Sequence, residues 1–129
     1  MTEEKLITLA EKLEAKTVAG TMFWEQTALD DQYQTNLSTV VIQIASLNTE
    51  DGGVDYKLIL IDHAGNVVEV MYDEDLTNMY KRVGKASKNG FYLLQSIYKN
   101  AKRSALGVDK TLDKVLTELD DVGDAPPPA

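Results

Sequence analysis

The chain contains no cysteine, which excludes disulfides, thiolate nucleophiles and cysteine-based zinc sites together. It has one histidine, His63, and one tryptophan, Trp24. A nucleophile–base pair needs a third group to orient it, and a zinc site needs further nitrogen or sulfur ligands. His63 follows Asp62 in a turn-like stretch, so it reads as an exposed turn residue. No apolar run approaches the roughly 18–20 residues of a membrane span. The opening MTEEKLITLAEKLEAK carries acids where a secretory signal carries bases. A soluble, cytoplasmic chain is expected, for which the glycosylation sequon at Asn36-Leu37-Ser38 has no consequence.

The last thing missing is negative charge in one place. From Leu76 to Val108 there is no acid, whereas Lys81, Arg82, Lys85, Lys88, Lys99, Lys102 and Arg103 all carry positive charge. The chain as a whole has 21 acids against 13 bases, for a net charge of -8. That balance repels nucleic acid and anionic membranes at long range, so a general DNA binder is disfavoured.

The 129 residues suffice for one domain with one core, and hydrophobic and charged fractions of 43% and 26% are those of a folded globular chain. Leu6, Leu9 and Leu13 predict an amphipathic N-terminal helix, with Thr2 as a candidate cap. Met22-Phe23-Trp24 is expected to begin a strand and Asp30-Asp31 to form a turn. Ser38 to Leu47 is rich in β-branched residues and reads as a central strand. The loop NTEDGG leads to DYKLILID, and the turn at His63 to Asn66 returns the chain along VVEVMY as a hairpin.

After Tyr72 the period changes from two to about 3.6. Asp73, Glu74 and Asp75 suit a helix N-terminus, followed by Leu76, Tyr80 and Val83 at helical spacing. A break at Ser87 to Gly90 precedes a helix marked by Phe91, Leu94, Tyr98 and Ala101. Gly107 ends it, and Asp109 opens a third with the apolar stripe Leu112, Val115, Leu116, Leu119. The fold class is therefore α+β: an N-terminal helix, an antiparallel β-meander of three to four strands, then two to three C-terminal helices packed on the sheet. Residues 1–120 form the expected domain, and the acidic, proline-rich 121–129 a disordered tail. The style of the helical ending is that of small bacterial or phage proteins.

Several stretches invite a chemical reading and have a plainer one. Asp30-Asp31, Glu50-Asp51 and Asp73-Glu74-Asp75 offer hard oxygen ligands, but none has the spacing of a calcium loop, and turn and cap duty accounts for them. Gly84-Lys85-Ala86-Ser87 lacks the upstream glycine of a phosphate loop, Met79 standing in its place. KNGFYLL is only loosely similar to an RNA-binding strand motif. No cofactor or metal is implied.

Two surfaces remain. Lys81, Arg82, Lys85, Lys88, Lys99, Lys102 and Arg103, interleaved with Tyr80, Phe91, Tyr92 and Tyr98, form a candidate binding surface for an anionic ligand. Against this, the aromatics and Leu76, Val83 and Leu94 fall where a core stripe requires them, and acids of the last helix are placed to screen the bases. The other surface exists if helices cover only one face of the sheet and not both: the open face then shows Phe23 or Trp24 and some of Val41, Ile59, Ile61, Val67 and Met71 as interface residues. The expectation is a non-catalytic protein-interaction or regulatory module, with a protein partner or a second copy of itself. The alternative is a nucleic-acid or nucleotide binder using the basic helices.

Overall fold

A computed structural model describes residues 2–123. Helix α1 (Thr2–Val18) buries Ile7, Ala10, Leu13 and Thr17, with Leu6 and Leu9 on the shoulders of that line. Five strands follow: β1 (Glu25–Gln26), β2 (Gln32–Asn36), β3 (Val40–Asn48), β4 (Val54–Asp62) and β5 (Val67–Tyr72). They lie in chain order, each antiparallel to the next. The meander thus has five strands where three to four were expected.

The extra strand is β2, QYQTN, whose alternation is carried by Tyr33 and Thr35 facing inward and not by aliphatic residues. Met22, Phe23 and Trp24 precede the first strand and are not part of it. They are nevertheless fixed: the Trp24 amide donates to Ser104 Oγ (3.2 Å), its indole Nε1 donates to Thr17 Oγ1 (3.3 Å), and Thr35 Oγ1 donates to the Phe23 carbonyl (2.8 Å). These bonds seat a large amphipathic ring at the junction of α1, the sheet and the third helix.

Helices α2 (Asp73–Arg82), α3 (Gly90–Ala105) and α4 (Val108–Gly123) complete the chain. At the start of α2, Asp75 accepts a hydrogen bond from the Tyr72 amide (2.9 Å), and the buried Asp73 carboxylate accepts one from the Tyr56 amide (3.0 Å). At the start of α3, Asn89 Oδ1 accepts from the Phe91 amide (2.8 Å), the ordinary duty of an asparagine cap. Helix α3 is the centre of the layer: it packs on β1 to β4 and receives α1 and α2 along its sides.

The core lies between that layer and one face of the sheet. Ile42 and Ile44 of β3, Leu58 and Leu60 of β4 and Met71 of β5 point into it, meeting Leu76, Met79 and Tyr80 of α2 and Leu94, Ile97 and Ala101 of α3. Tyr98 joins it through edge and tilted contacts with Tyr33 (5.6 Å) and Tyr56 (5.3 Å). Among the described residues no buried side-chain polar atom is left without a partner.

Two of the three C-terminal helices pack on the sheet; among the described elements α4 touches α3 alone. Gly107, at φ 64, turns the chain out of α3 through the left-handed region that suits glycine, and α4 leaves the layer there. It runs through residue 123, so the first three residues of the expected tail are helical. Residues 124–129 lie outside the described residues.

Candidate interaction surfaces

The seven bases of the acid-free stretch divide into two groups. Lys81, Arg82, Lys85 and Lys88 surround the connection from α2 to α3, whereas Lys99, Lys102 and Arg103 sit on the C-terminal half of α3. From the start of α3 to Lys102 the helical rise alone is roughly 18 Å. The first group is met by α1. Arg82 bonds Glu3 through Nε and Nη2, both at 2.8 Å, and Lys88 Nζ lies 3.0 Å from Glu11 Oε2. The screening acids therefore come from the first helix and not from the last. Among the described residues Lys99, Lys102 and Arg103 make no ion pair, and all three are exposed.

Of the aromatics interleaved with these bases, Tyr80 and Tyr98 are buried, Phe91 is partly buried against Tyr56 (5.4 Å), and only Tyr92 is exposed. Stacking on successive bases needs a row of exposed rings. This surface supplies a single ring, that of Tyr92.

Beside Tyr92 a shallow groove of about 410 Å³ runs between α1 and α3, lined by Glu11, Glu14, Tyr80, Lys88, Leu93 and Ser96 among others. Tyr80 Oη donates to Glu11 Oε2 (3.1 Å), the oxygen that also meets Lys88. The Lys88 bond, ahead of that from Tyr80, holds the Glu11 carboxyl below the usual range. Burial first, and the Glu11 acceptor second, push the Tyr80 phenol up to about 12. Both shifts move Glu11 and Tyr80 further from neutral pH, so this pair is poorly suited to proton transfer and, with Lys88 on the same oxygen, braces α1 against α2. Tyr98 is raised likewise by burial and by Asp31, to which its hydroxyl donates (3.2 Å). His63 lies exposed in the β4–β5 turn, its Nε2 3.0 Å from the Leu37 carbonyl oxygen. Among the described residues no three His, Asp or Glu side chains converge as metal ligands would.

Among the described residues helices pack on one face of the sheet. Across the other face the register aligns Gln34, Gln43, Ile59 and Val70, and next to them Asn36, Val41, Ile61 and Val67. Of the expected interface residues, Val41, Ile59, Ile61 and Val67 lie here: Ile59 buried, Val41 and Ile61 half-buried, Val67 exposed. Met71 pairs with Leu58 on the inner face and is buried, and so is Trp24. They belong to the core, because each has the parity or the polar anchor that turns it inward. Phe23, their neighbour, is 88% exposed. It lines a second groove of about 410 Å³ with Val18, Met22, Arg103 and Leu106 where α4 departs from α3. The open face thus mixes glutamine and asparagine with its valines and isoleucines, and is not a continuous apolar patch.

The continuous apolar surface is on α4. From Asp109 to Val122 every side chain is exposed. Leu112, Val115, Leu116, Leu119 and Val122 are each 40% to 64% exposed and fall on one side of the helix. The spacing of the first four predicts the stripe from the sequence; Val122 falls in the expected tail, and the structure extends the stripe to it on a helix that does not pack on the sheet. No helix among the described residues is long and apolar enough to cross a membrane.

Comparison with known proteins assigns nothing further: no family model, no curated protein and no solved structure matches the chain.

Proposed function

We propose that the chain is a non-catalytic protein-interaction module whose α+β body presents α4 as its contact element. The observation that carries this reading is the α4 stripe: five exposed apolar side chains on a helix that, among the described residues, packs on α3 alone. An isolated helix of this length is marginal in water, and most helical stability in proteins comes from packing of an apolar face. The body meets its own needs without it, since its core is filled by α1 to α3 and the sheet. Exposed contiguous apolar surface on an otherwise complete fold marks a place where another protein binds.

A photo-cross-linking amino acid placed at position 116, in cells producing the full chain, tests this. Position 116 is expected to capture protein, either a second copy or a different chain, while the exposed polar position 5 on α1 captures little. Equal yields from the two positions would retire the reading.

A further inference from the structure

Resting on that reading, we infer that the occupant of the α4 stripe is the α4 of a second copy, laid antiparallel across a two-fold axis. Val108, Leu112, Val115, Leu119 and Val122 recur at intervals of four, three, four and three, the spacing of a coiled-coil seam, and Leu116 widens it. Such a seam is self-complementary: the same side chains meet from both copies, as a two-fold interface requires.

Charge chooses the direction. The first half of α4 has Asp109, Lys110, Asp113 and Lys114 and is neutral, while the second half has Glu118, Asp120 and Asp121 and no base. Parallel pairing would set the two acidic ends side by side, with both negative helix ends together. Antiparallel pairing lays each acidic half along the neutral half and positive end of the other helix. Centred near position 117, it places Leu112 against Val122 of the second copy and Val115 against Leu119. Leu116 then meets its own counterpart, and Lys114 comes alongside Asp121. The one close like-charge contact, between the two Glu118 side chains, is flanked by Lys114 from both copies. The seam is also short. One 16-residue helix from each copy makes the whole contact, and a reversible dimer populated from roughly micromolar concentrations upward is expected.

Sedimentation velocity on the full chain is expected to show the mass shifting from one copy towards two as concentration rises through that range. Leu119→Asp is expected to keep the protein monomeric. Because Leu119 is 58% exposed in the single chain, the fluorescence of Trp24, which is 4% exposed, should be unchanged and report an intact core. Direction is read from disulfides, which the cysteine-free chain permits without background. Leu112→Cys mixed with Val122→Cys should oxidise to a mixed dimer, and Leu112→Cys alone should not. A monomer at about 1 mM, a dimer indifferent to Leu119→Asp, or ready disulfide formation by Leu112→Cys alone would each overturn the pairing. A monomer that still captures a different protein through position 116 overturns the pairing and leaves the interaction reading standing.

Discussion

Tyr80 shows how single residues hold this fold. Its ring is 2% exposed while its hydroxyl reaches Glu11 on another helix. With the folded-state phenol raised to about 12, its contribution to stability is complete below the ordinary tyrosine value near 10 and is lost as pH rises through the raised value. Among the six tyrosines, Tyr80 and Tyr98 are expected to ionise last, followed by phenolate absorbance. Tyr80→Phe should remove one late-titrating group and cost about 1 kcal/mol at neutral pH by chemical denaturation. Glu11 works in the opposite sense. Its lowered carboxyl contributes above the ordinary glutamate range and ceases to as pH falls through the depressed value. Since the pair with Lys88 is exposed, Glu11→Gln should cost only ~0.5 kcal/mol or less at neutral pH and flatten the acid limb of the stability curve. Neither partnership was legible in the sequence: Glu11 and Lys88 are 77 residues apart, and charge alone does not say which acid reaches which base.

Between elements, the tightest junction is at Gly90, where α3 begins against α2. A Cβ there would lie 2.5 Å from the Asp73 carbonyl oxygen and 2.7 Å from the Thr77 nitrogen. Both are backbone atoms, so Gly90→Ala must push the helices apart. A loss of about 2–4 kcal/mol is expected, read as a lower thermal midpoint. The Gly90 amide also donates to Thr77 Oγ1 (2.8 Å), and the two elements cannot separate without losing that bond. In the sequence this glycine marks only a break. The hairpin of β4 and β5, the central β3 and all four helices were legible from period and turn chemistry, because aliphatic alternation or a helical stripe carried them. Strand β2 was hidden by its glutamines and asparagine, and β1 by being two residues long. The α4 stripe was visible, yet periodicity tells which side of a helix is apolar and not whether anything in the same chain covers it.

At the scale of the molecule, the split of the basic residues bears on the choice between a protein partner and an anionic ligand. A surface neutralising several phosphates loses affinity steeply as salt rises. Arg82 and Lys88 are engaged by α1, Lys81 and Lys85 stay exposed beside them, and among the described residues Lys99, Lys102 and Arg103 form a group of three in which none is paired. Gel shifts with single- and double-stranded DNA and RNA are expected to show no retardation at moderate salt. Any shift at low salt should vanish when Lys99, Lys102 and Arg103 are changed to Glu. Tight binding at moderate salt would favour the anionic-ligand reading over the protein-interaction one.

The first helix packs against elements that are made much later. Its contacts through Tyr80, Lys88 and Arg82 span 69, 77 and 79 residues, and α3, its main support, follows the whole meander. During synthesis at about 5–20 residues per second, Ile7, Ala10 and Leu13 emerge on the order of several seconds before α3 exists to cover them. The sheet has no such delay, since each strand pairs with the one just made. The nascent chain therefore exposes the apolar stripe of its first segment until α3 has been made, and only then can that segment find its main support.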